Sequence, residues 1–293
     1  MKKKTRYLVM TGAAIVVALA MISVALAGPP ASAKKPLQFG YVLWDGEIAS
    51  TNVLTLVMEE AGYDVDMVNV DAGILYQGLA KGDLDFTVSA WLPATQKNYW
   101  DIYGNDIDSV ATSLEGCKIG LAVPTYVTEV NSIADLKNYS SEFQSRIVGI
   151  DPGAGMMTNA QDAIDNYGLN FELEASSNAA MLAELTSAYN DGEWIVVTLW
   201  SPHWAFSEWD LKYLDDPDGV FGGAEEVRTL ARQGFQAEQP EAYAIIERFH
   251  WTQDDIQSVM MDISNGMGEK AAAQKWIDNH RDVVDGWLHG PSA

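Results

Sequence analysis

The chain has 293 residues and a formal net charge of −23 at pH 7, with 41 acidic and 18 basic side chains. Such an acidic balance repels nucleic acid and anionic lipid, so we expect neither as a partner. Cys117 is the only cysteine, which excludes an intramolecular disulfide. The length allows one large or two medium domains.

The N-terminal residues have the pattern of a secretory leader. Basic residues precede an almost uniformly apolar stretch at residues 8–26, and small-residue cleavage motifs end at Ala27 and Ala33. We predict that residues 1–33 are a signal peptide; a retained membrane anchor is the alternative, since the apolar stretch is nearly long enough to span a bilayer. No cysteine follows either motif, so we expect a soluble periplasmic protein rather than a lipoprotein.

From residue 37 onwards, short apolar runs alternate with segments of helical periodicity, which is typical of α/β proteins. The runs predict strands at residues 37–44, 63–70, 84–92, 119–123, 146–151, 171–175, 194–200 and 211–214. The periodic segments predict helices at residues 51–61, 74–81, 133–139, 156–167, 179–189, 240–249, 253–264 and 269–288.

These elements form two α/β halves, each a sheet flanked by helices. We predict that the chain crosses between them near residues 123–125 and returns near residues 228–234. Lobe A would comprise residues 34–123 plus 234–293, and lobe B residues 124–233. Two lobes joined by two crossovers describe a clamshell that buries a small ligand in its cleft.

Three tryptophans stand at the ends of separate strand-like runs: Trp44, Trp91 and Trp200. Ligand sites in α/β folds lie at strand ends, and several indoles together can hold a quaternary ammonium group. For any single tryptophan a place in the core is the better interpretation, because the chain has ten of them. The Pro, Asp, Thr and Gln residues beside these three favour a binding site.

Other residues are weaker candidates. The turn at residues 149–155 could offer backbone N–H groups to an anion, although alone it is typical of an ordinary strand–helix connection. Gln96 can donate a hydrogen bond to a carboxylate, or it lies in a solvated loop. His203 is a candidate ligand contact, but we favour a supporting or plain loop role. Asp45 and Glu47 could attract a cation, although we expect them to orient their loop.

Catalysis has little support in the sequence. The four histidines are scattered without the spacing of a metal site, and no Gly-x-Ser-x-Gly nucleophile motif occurs. We therefore expect no catalytic residue, no metal and no cofactor. A periplasmic enzyme acting on a small zwitterion remains the alternative function.

Several segments together carry a resemblance to a known family. They are YVLWDGEIASTNV, VSAWLPATQ, GIDPGAGMM, TLWSPHWAFSEWDLKYLDDP, GGAEEV, FHWTQDDIQ and WIDNHRD, and they run from residue 37 to residue 287. In these segments the chain resembles the OpuAC-type glycine betaine-binding proteins, the extracellular receptors of ABC importers for compatible solutes. The resemblance implies a type II periplasmic-binding-protein clamshell that acts as a monomer and delivers its ligand to a membrane permease.

The resemblance also implies roles for individual residues. The three tryptophans would form the cation box, and the backbone amides of Gly149 and Ile150 would hold the carboxylate of the ligand. Gln96 stands where relatives carry the histidine of an LPxTH motif, which leaves open whether the ligand is a betaine, a sulfonium analogue or a choline-like cation. Because glutamine does not titrate, we expect binding to be nearly independent of pH between about 5.5 and 8.

Overall fold

Nine strands form a mixed, twisted sheet in the part of the chain that the computed structural model describes, residues 36–290. The predicted leader lies outside these residues. The strands are β1 (Leu37–Tyr41), β2 (Val65–Asn69), β3 (Phe86–Leu92), β4 (Ile107–Pro124), β5 (Arg146–Val148), β6 (Glu172–Glu174), β7 (Val197–Ser201), β8 (Leu211–Tyr213) and β9 (Glu225–Arg232).

Helices pack against the sheet and follow most of its strands. They are α1 (Asp45–Glu60), α2 (Ala72–Lys81), α3 (Lys97–Tyr103), α4 (Gly155–Tyr167), α5 (Asn178–Asp191), α6 (Ala205–Glu208), α7 (Phe235–Glu238), α8 (Pro240–Arg248), α9 (Gln253–Ser264), α10 (Glu269–Asn279) and α11 (Arg281–His289). Residues 133–138, which lie in the helix predicted at residues 133–139, form a 3-10 helix. None of the helices within residues 36–290 is long and apolar enough to cross a membrane.

The strand order β2-β1-β3-β9-β4-β7-β5-β6 divides this sheet at the long strand β4. One part, which we call the first sheet, contains β1, β2, β3, β9 and the first part of β4; the other, the second sheet, contains β5, β6, β7, β8 and the second part of β4. The first part of β4 pairs antiparallel with β9, and its second part pairs antiparallel with β7 and β8. Parallel pairs lie toward the two outer edges, β1 with β2 and β5 with β6. The predicted α/β fold class, two sheets flanked by helices, is confirmed.

The strand pairings bear on where the two lobes meet. Cys117 still pairs with Glu225 in the first sheet, whereas Lys118 pairs with Ser201 in the second. Strand β9 therefore belongs to the first sheet, although we predicted its residues in lobe B. The boundaries at 123/124 and 233/234 stay a prediction, and we infer from the pairings that the chain changes sheet near 117/118 and 224/225.

Helix α1 illustrates how the core positions the site. Val53, Leu54, Val57 and Met58 repeat at helical spacing and are fully buried, which fixes one face of the helix on the sheet. The helix begins at Asp45, six residues before the predicted start, directly after Trp44. Acidic residues in the first turn favour this start because the N-terminal end of a helix is positive.

Candidate functional site

The three predicted tryptophans surround one small cavity. Trp44 lies at the start of α1, Trp91 in β3 and Trp200 in β7, and all three are buried. The cavity has a volume of ≈ 20 Å³. Its lining consists of Trp44, Trp91, Thr95, Ile119, Ile150, Ala154, Gly155, Met156 and Trp200. We call the three indoles with this space the tryptophan box; its lining contains no ionisable side chain.

Two of the three indoles are fixed by hydrogen bonds to carboxylates. The Trp44 Nε1 group donates to Asp151 Oδ2 at 3.2 Å, and the Trp91 Nε1 group donates to Glu47 Oε1 at 2.7 Å. The Trp200 Nε1 atom is buried without a hydrogen-bond partner among the described residues. These hydrogen bonds from Trp44 and Trp91 hold the two rings in place beside the cavity.

Trp200 is supported by its neighbour His203, which does not line the cavity. The two rings meet edge to face with centroids 4.7 Å apart. The His203 Nδ1 atom accepts from the Ala205 N–H at 3.0 Å, so the proton of a neutral ring is on Nε2, which lies 3.1 Å from Asp45 Oδ2. This geometry agrees with the supporting role that we favoured for His203, and a direct ligand contact stays a prediction.

Asp45 joins the first turn of α1 to the loop after β7. Its Oδ2 atom accepts from Trp204 Nε1 at 2.6 Å. Burial alone would raise the pKa of Asp45, but hydrogen bonds from His203, Trp204 and Asn178 outweigh it and lower the pKa. Asp45 is therefore an anion that orients the surrounding loops, as we expected from the sequence.

The turn at residues 149–155 contains the two backbone amides that the resemblance implies as carboxylate donors. The Gly149 N–H donates to the Glu174 carbonyl at 2.8 Å within the sheet, and its role as a carboxylate donor stays a prediction. The Ile150 N–H meets only the Met157 sulfur, at 3.3 Å, and a thioether is a weak acceptor. Ile150 also lines the box, and its role as a carboxylate donor stays a prediction.

Gln96 lies behind the box rather than in its lining, where Thr95 takes its place. Its Oε1 atom accepts from the Tyr76 hydroxyl and from the Trp91 backbone N–H, both at 3.0 Å. Its Nε2 group is buried and has no partner among the described residues. Gln96 therefore fixes the turn after β3, and its contact with a ligand carboxylate stays a prediction.

The variant Gln96→Ala separates these two roles. The Tyr76 hydroxyl and the Trp91 N–H would lose their buried acceptor, so we expect the free energy of unfolding to fall by about 1–3 kcal/mol. If Gln96 Nε2 also holds a carboxylate, affinity for glycine betaine should fall much more than affinity for choline. Thermal melts and calorimetric titrations measure both; equal losses for the two ligands reject the carboxylate contact.

Sequence reasoning missed several residues that line the box, among them Ile119, Ala154 and Met156. Ile119 faces the site because it pairs with Trp200 across β4 and β7. No local motif marks it, and only knowledge of this pairing could have found it. Ala154 and Met156 flank Gly155 at the start of α4, so the predicted strand–turn–helix segment was the available signal.

Comparisons with known proteins agree with the resemblance seen in the sequence motifs. A family model described as the substrate-binding domain of ABC-type glycine betaine transport systems, OpuAC, matches residues 35–279. The glycine betaine/carnitine transport binding protein GbuC of Listeria monocytogenes is 43% identical over 157 residues. That alignment covers 53% of this chain and 52% of GbuC, so the match spans about half the length of this relative.

Solved structures extend the similarity over almost the whole described chain. Lactococcal OpuAC in its closed form with glycine betaine is 42% identical with a TM-score of 0.83, covering 87% of this chain and all of that one. An ABC-transporter choline-binding protein in complex with choline is 26% identical with a TM-score of 0.81, covering 88% and 92% of the two chains. The neighbours include proteins of the type II periplasmic-binding-protein fold, as we predicted.

Proposed function

Because this chain belongs to the OpuAC family of substrate-binding domains from ABC-type glycine betaine transport systems, we propose that it captures a small methylated zwitterion for import. The observation that carries the proposal is the tryptophan box, in which three indoles from separate elements surround one cavity. Two structural neighbours were solved with glycine betaine and with choline, which supports a methylated cation as the ligand.

The box suits a cation that cannot donate hydrogen bonds. An ammonium with N–H groups would lose its water in the box without gaining acceptors, because the lining is apolar apart from Thr95. A quaternary ammonium or sulfonium group has no such donors to satisfy. Its positive charge is attracted to the faces of the indoles, by about 2 kcal/mol or more for a desolvated contact.

Unpartnered donors around the same cavity favour a ligand that also carries an anion. Thr95 Oγ1 and Trp200 Nε1 are buried without partners among the described residues, and the Ile150 N–H has only a sulfur acceptor. The cavity also adjoins the N-terminal end of α4, which is positive. A carboxylate would satisfy these groups, so we favour a betaine-type zwitterion over choline.

Membership of this family also supports a proposal for the wider role of the chain. We propose that it releases its ligand unchanged, acts as a monomer and hands the ligand to the membrane permease of an ABC importer. The leader-like pattern at residues 1–33 supports export and cleavage. Intact-mass analysis of the exported protein checks this part: loss of the leader without an added lipid is expected.

A panel of ligands tests the proposed function. Purified protein is titrated with glycine betaine, proline betaine, dimethylsulfoniopropionate, choline, carnitine and ectoine. The heat of binding is measured by calorimetry, and the thermal stability of each mixture is measured by melting. A ligand at a hundredfold its dissociation constant should raise the free energy of unfolding by about 2.7 kcal/mol. The carbon isostere 3,3-dimethylbutanoate is the matched control, because it keeps the shape and carboxylate of glycine betaine but lacks the positive charge.

The expected result is that betaines bind best, choline binds less tightly and the isostere binds least. Isostere binding equal to that of glycine betaine would contradict a cation-selective box. Recovery of a chemically altered ligand after incubation would contradict a transport role and favour an enzyme.

A further inference from the structure

Trp91 separates the tryptophan box from a second internal cavity. Trp91 lines both, and the second space, which we call the rear cavity, is also lined by Glu47. The rear cavity is lined by Gly46, Glu47, Ser50, Val88, Trp91, Ser113, Leu114, Pro202, Val227, Trp251 and Ile256. Glu47 is the one residue of this lining with an ionisable side chain.

The Glu47 carboxyl group is almost completely buried, with 2% of the residue exposed. Its Oε1 atom accepts the 2.7 Å hydrogen bond from Trp91 Nε1, and its Oε2 atom has no partner among the described residues. No Lys, Arg or His side chain forms an ion pair with it in the described part of the chain. A buried carboxylate without a counter-charge is unfavourable, so this group needs either a proton or a nearby cation.

The charged and titratable groups around Glu47 do not supply that cation. Asp45, on the same helix, has a carboxyl that adds to the raised pKa of Glu47. Cys117 on β4 interacts with Glu47, and burial followed by this interaction raises the pKa of the Cys117 thiol to about 12, so the thiol is neutral. Glu225, at the start of β9, accepts from the Ala94 and Thr95 N–H groups, and His203 faces Asp45.

We propose that Glu47 is a positioning residue that tunes the box electrostatically: its carboxylate polarises the Trp91 indole, and binding of a methylated cation releases the proton of this carboxyl to solvent. A charge-assisted N–H···O⁻ bond shifts electron density toward the ring, which makes its face more attractive to a cation. The bound cation in turn supplies the positive charge that the buried carboxylate lacks.

The direction of the effect follows from thermodynamic linkage. Burial raises the pKa of Glu47 to about 7, against the hydrogen bond from Trp91, which lowers it. A cation favours the ionised carboxylate, so binding should lower this pKa. Affinity should therefore rise as pH increases through about 6 to 7. This differs from the nearly pH-independent binding that we expected from the sequence, where Gln96 was the group considered.

Calorimetric titration with glycine betaine at several pH values, each in two buffers of different ionisation enthalpy, measures the released proton directly. If binding lowers the pKa of Glu47 by one unit, affinity rises about eightfold between pH 5.5 and 8.5. The same shift releases about half a proton per ligand near pH 6.5. A purely structural role for Glu47 produces no proton release.

The informative variant is Glu47→Gln, which keeps an oxygen acceptor for Trp91 Nε1 but cannot ionise. At every pH, we expect this variant to bind with the low affinity that the wild type has at pH 5.5. Its binding should release no proton. Its thermal stability without ligand, which should not be below that of the wild type at pH 8, confirms folding. Glu59→Gln on the exposed part of α1 is the matched control and should retain the pH dependence and proton release of the wild type.

The outcomes are distinguishable. This proposal rests on the proposed function, and a wild-type protein that binds no methylated cation at any pH rejects both. Tight binding without proton release between pH 5.5 and 8.5 rejects the role of Glu47 alone. Proton release that persists in Glu47→Gln assigns the titration to another group and also overturns the proposal.

Discussion

Replacing Trp200 by alanine is expected to lower the affinity for a methylated cation by at least about thirtyfold, which corresponds to the loss of about 2 kcal/mol. The variant removes one wall of the tryptophan box and opens the site to water. Trp200 is a cleaner probe than Trp91, because its Nε1 atom has no partner among the described residues to be left unsatisfied. Trp91→Ala should weaken binding at least as much, but it also deprives Glu47 of its hydrogen bond.

Phenylalanine variants show whether the ring face matters. Trp200→Phe keeps an aromatic face and should bind more tightly than Trp200→Ala, though less tightly than the wild type. Trp194→Phe is the matched control, since Trp194 packs against Tyr139 and Phe143 and does not line the box. Calorimetric titration gives the affinities, and melts without ligand confirm folding. Wild-type affinity in both Trp91→Ala and Trp200→Ala would reject the box.

The fold was predictable from the sequence wherever an apolar run or a helical period was unbroken. Strand β9 was missed because its sequence, EEVRTLAR, carries four charged residues and has neither an unbroken apolar run nor strict alternation of apolar and polar residues. The first part of β4 was missed for the same reason. Both are held in the sheet by their long mutual pairing, which no local pattern records.

The end of the chain shows tertiary packing overriding a local pattern. Helical periodicity predicted one helix over residues 269–288, but the structure breaks it at His280 into α10 and α11. The break lets Trp287 fold back and stack on Trp276, with ring centroids 5.5 Å apart and planes 13° apart. Neither glycine nor proline marks this position, so the sequence carries no local signal for it.

The site was predictable in its side chains and less so in its backbone. Trp44, Trp91 and Trp200 lie at strand ends, where the sequence pattern alone indicates a shared cleft. The hydrogen bond from the Gly149 amide to Glu174 depends on a parallel neighbour, β6, which the turn itself does not reveal, and the role of this amide toward a ligand stays a prediction. Glu47 was taken for a loop-orienting residue because burial without a counter-charge cannot be seen in a sequence.

Adding a single methyl group at Gly155 should disable the site without unfolding the protein. Gly155 is the first residue of α4, the helix that follows β5. A Cβ atom placed there would lie 1.8 Å from the Thr95 carbonyl oxygen in the turn after β3. The Thr95 oxygen is a backbone atom and cannot rotate away from the added methyl group. The clash is therefore relieved only if the turn after β3 and the start of α4 move apart, which opens the box. We expect Gly155→Ala to lower affinity by about ten- to hundredfold, from about 1–3 kcal/mol of overpacking.

Gly153→Ala is the matched control in the same turn. The nearest atom to a Cβ there is the Tyr99 hydroxyl oxygen at 3.7 Å, which is an ordinary contact. Without ligand, both variants should melt near the wild type, because alanine is favourable at a helix start and the open arrangement removes the clash. Small-angle scattering with saturating glycine betaine should show compaction in the wild type and in Gly153→Ala but less in Gly155→Ala. Wild-type affinity and compaction in Gly155→Ala would mean that the contact between Thr95 and Gly155 is not needed for the bound state.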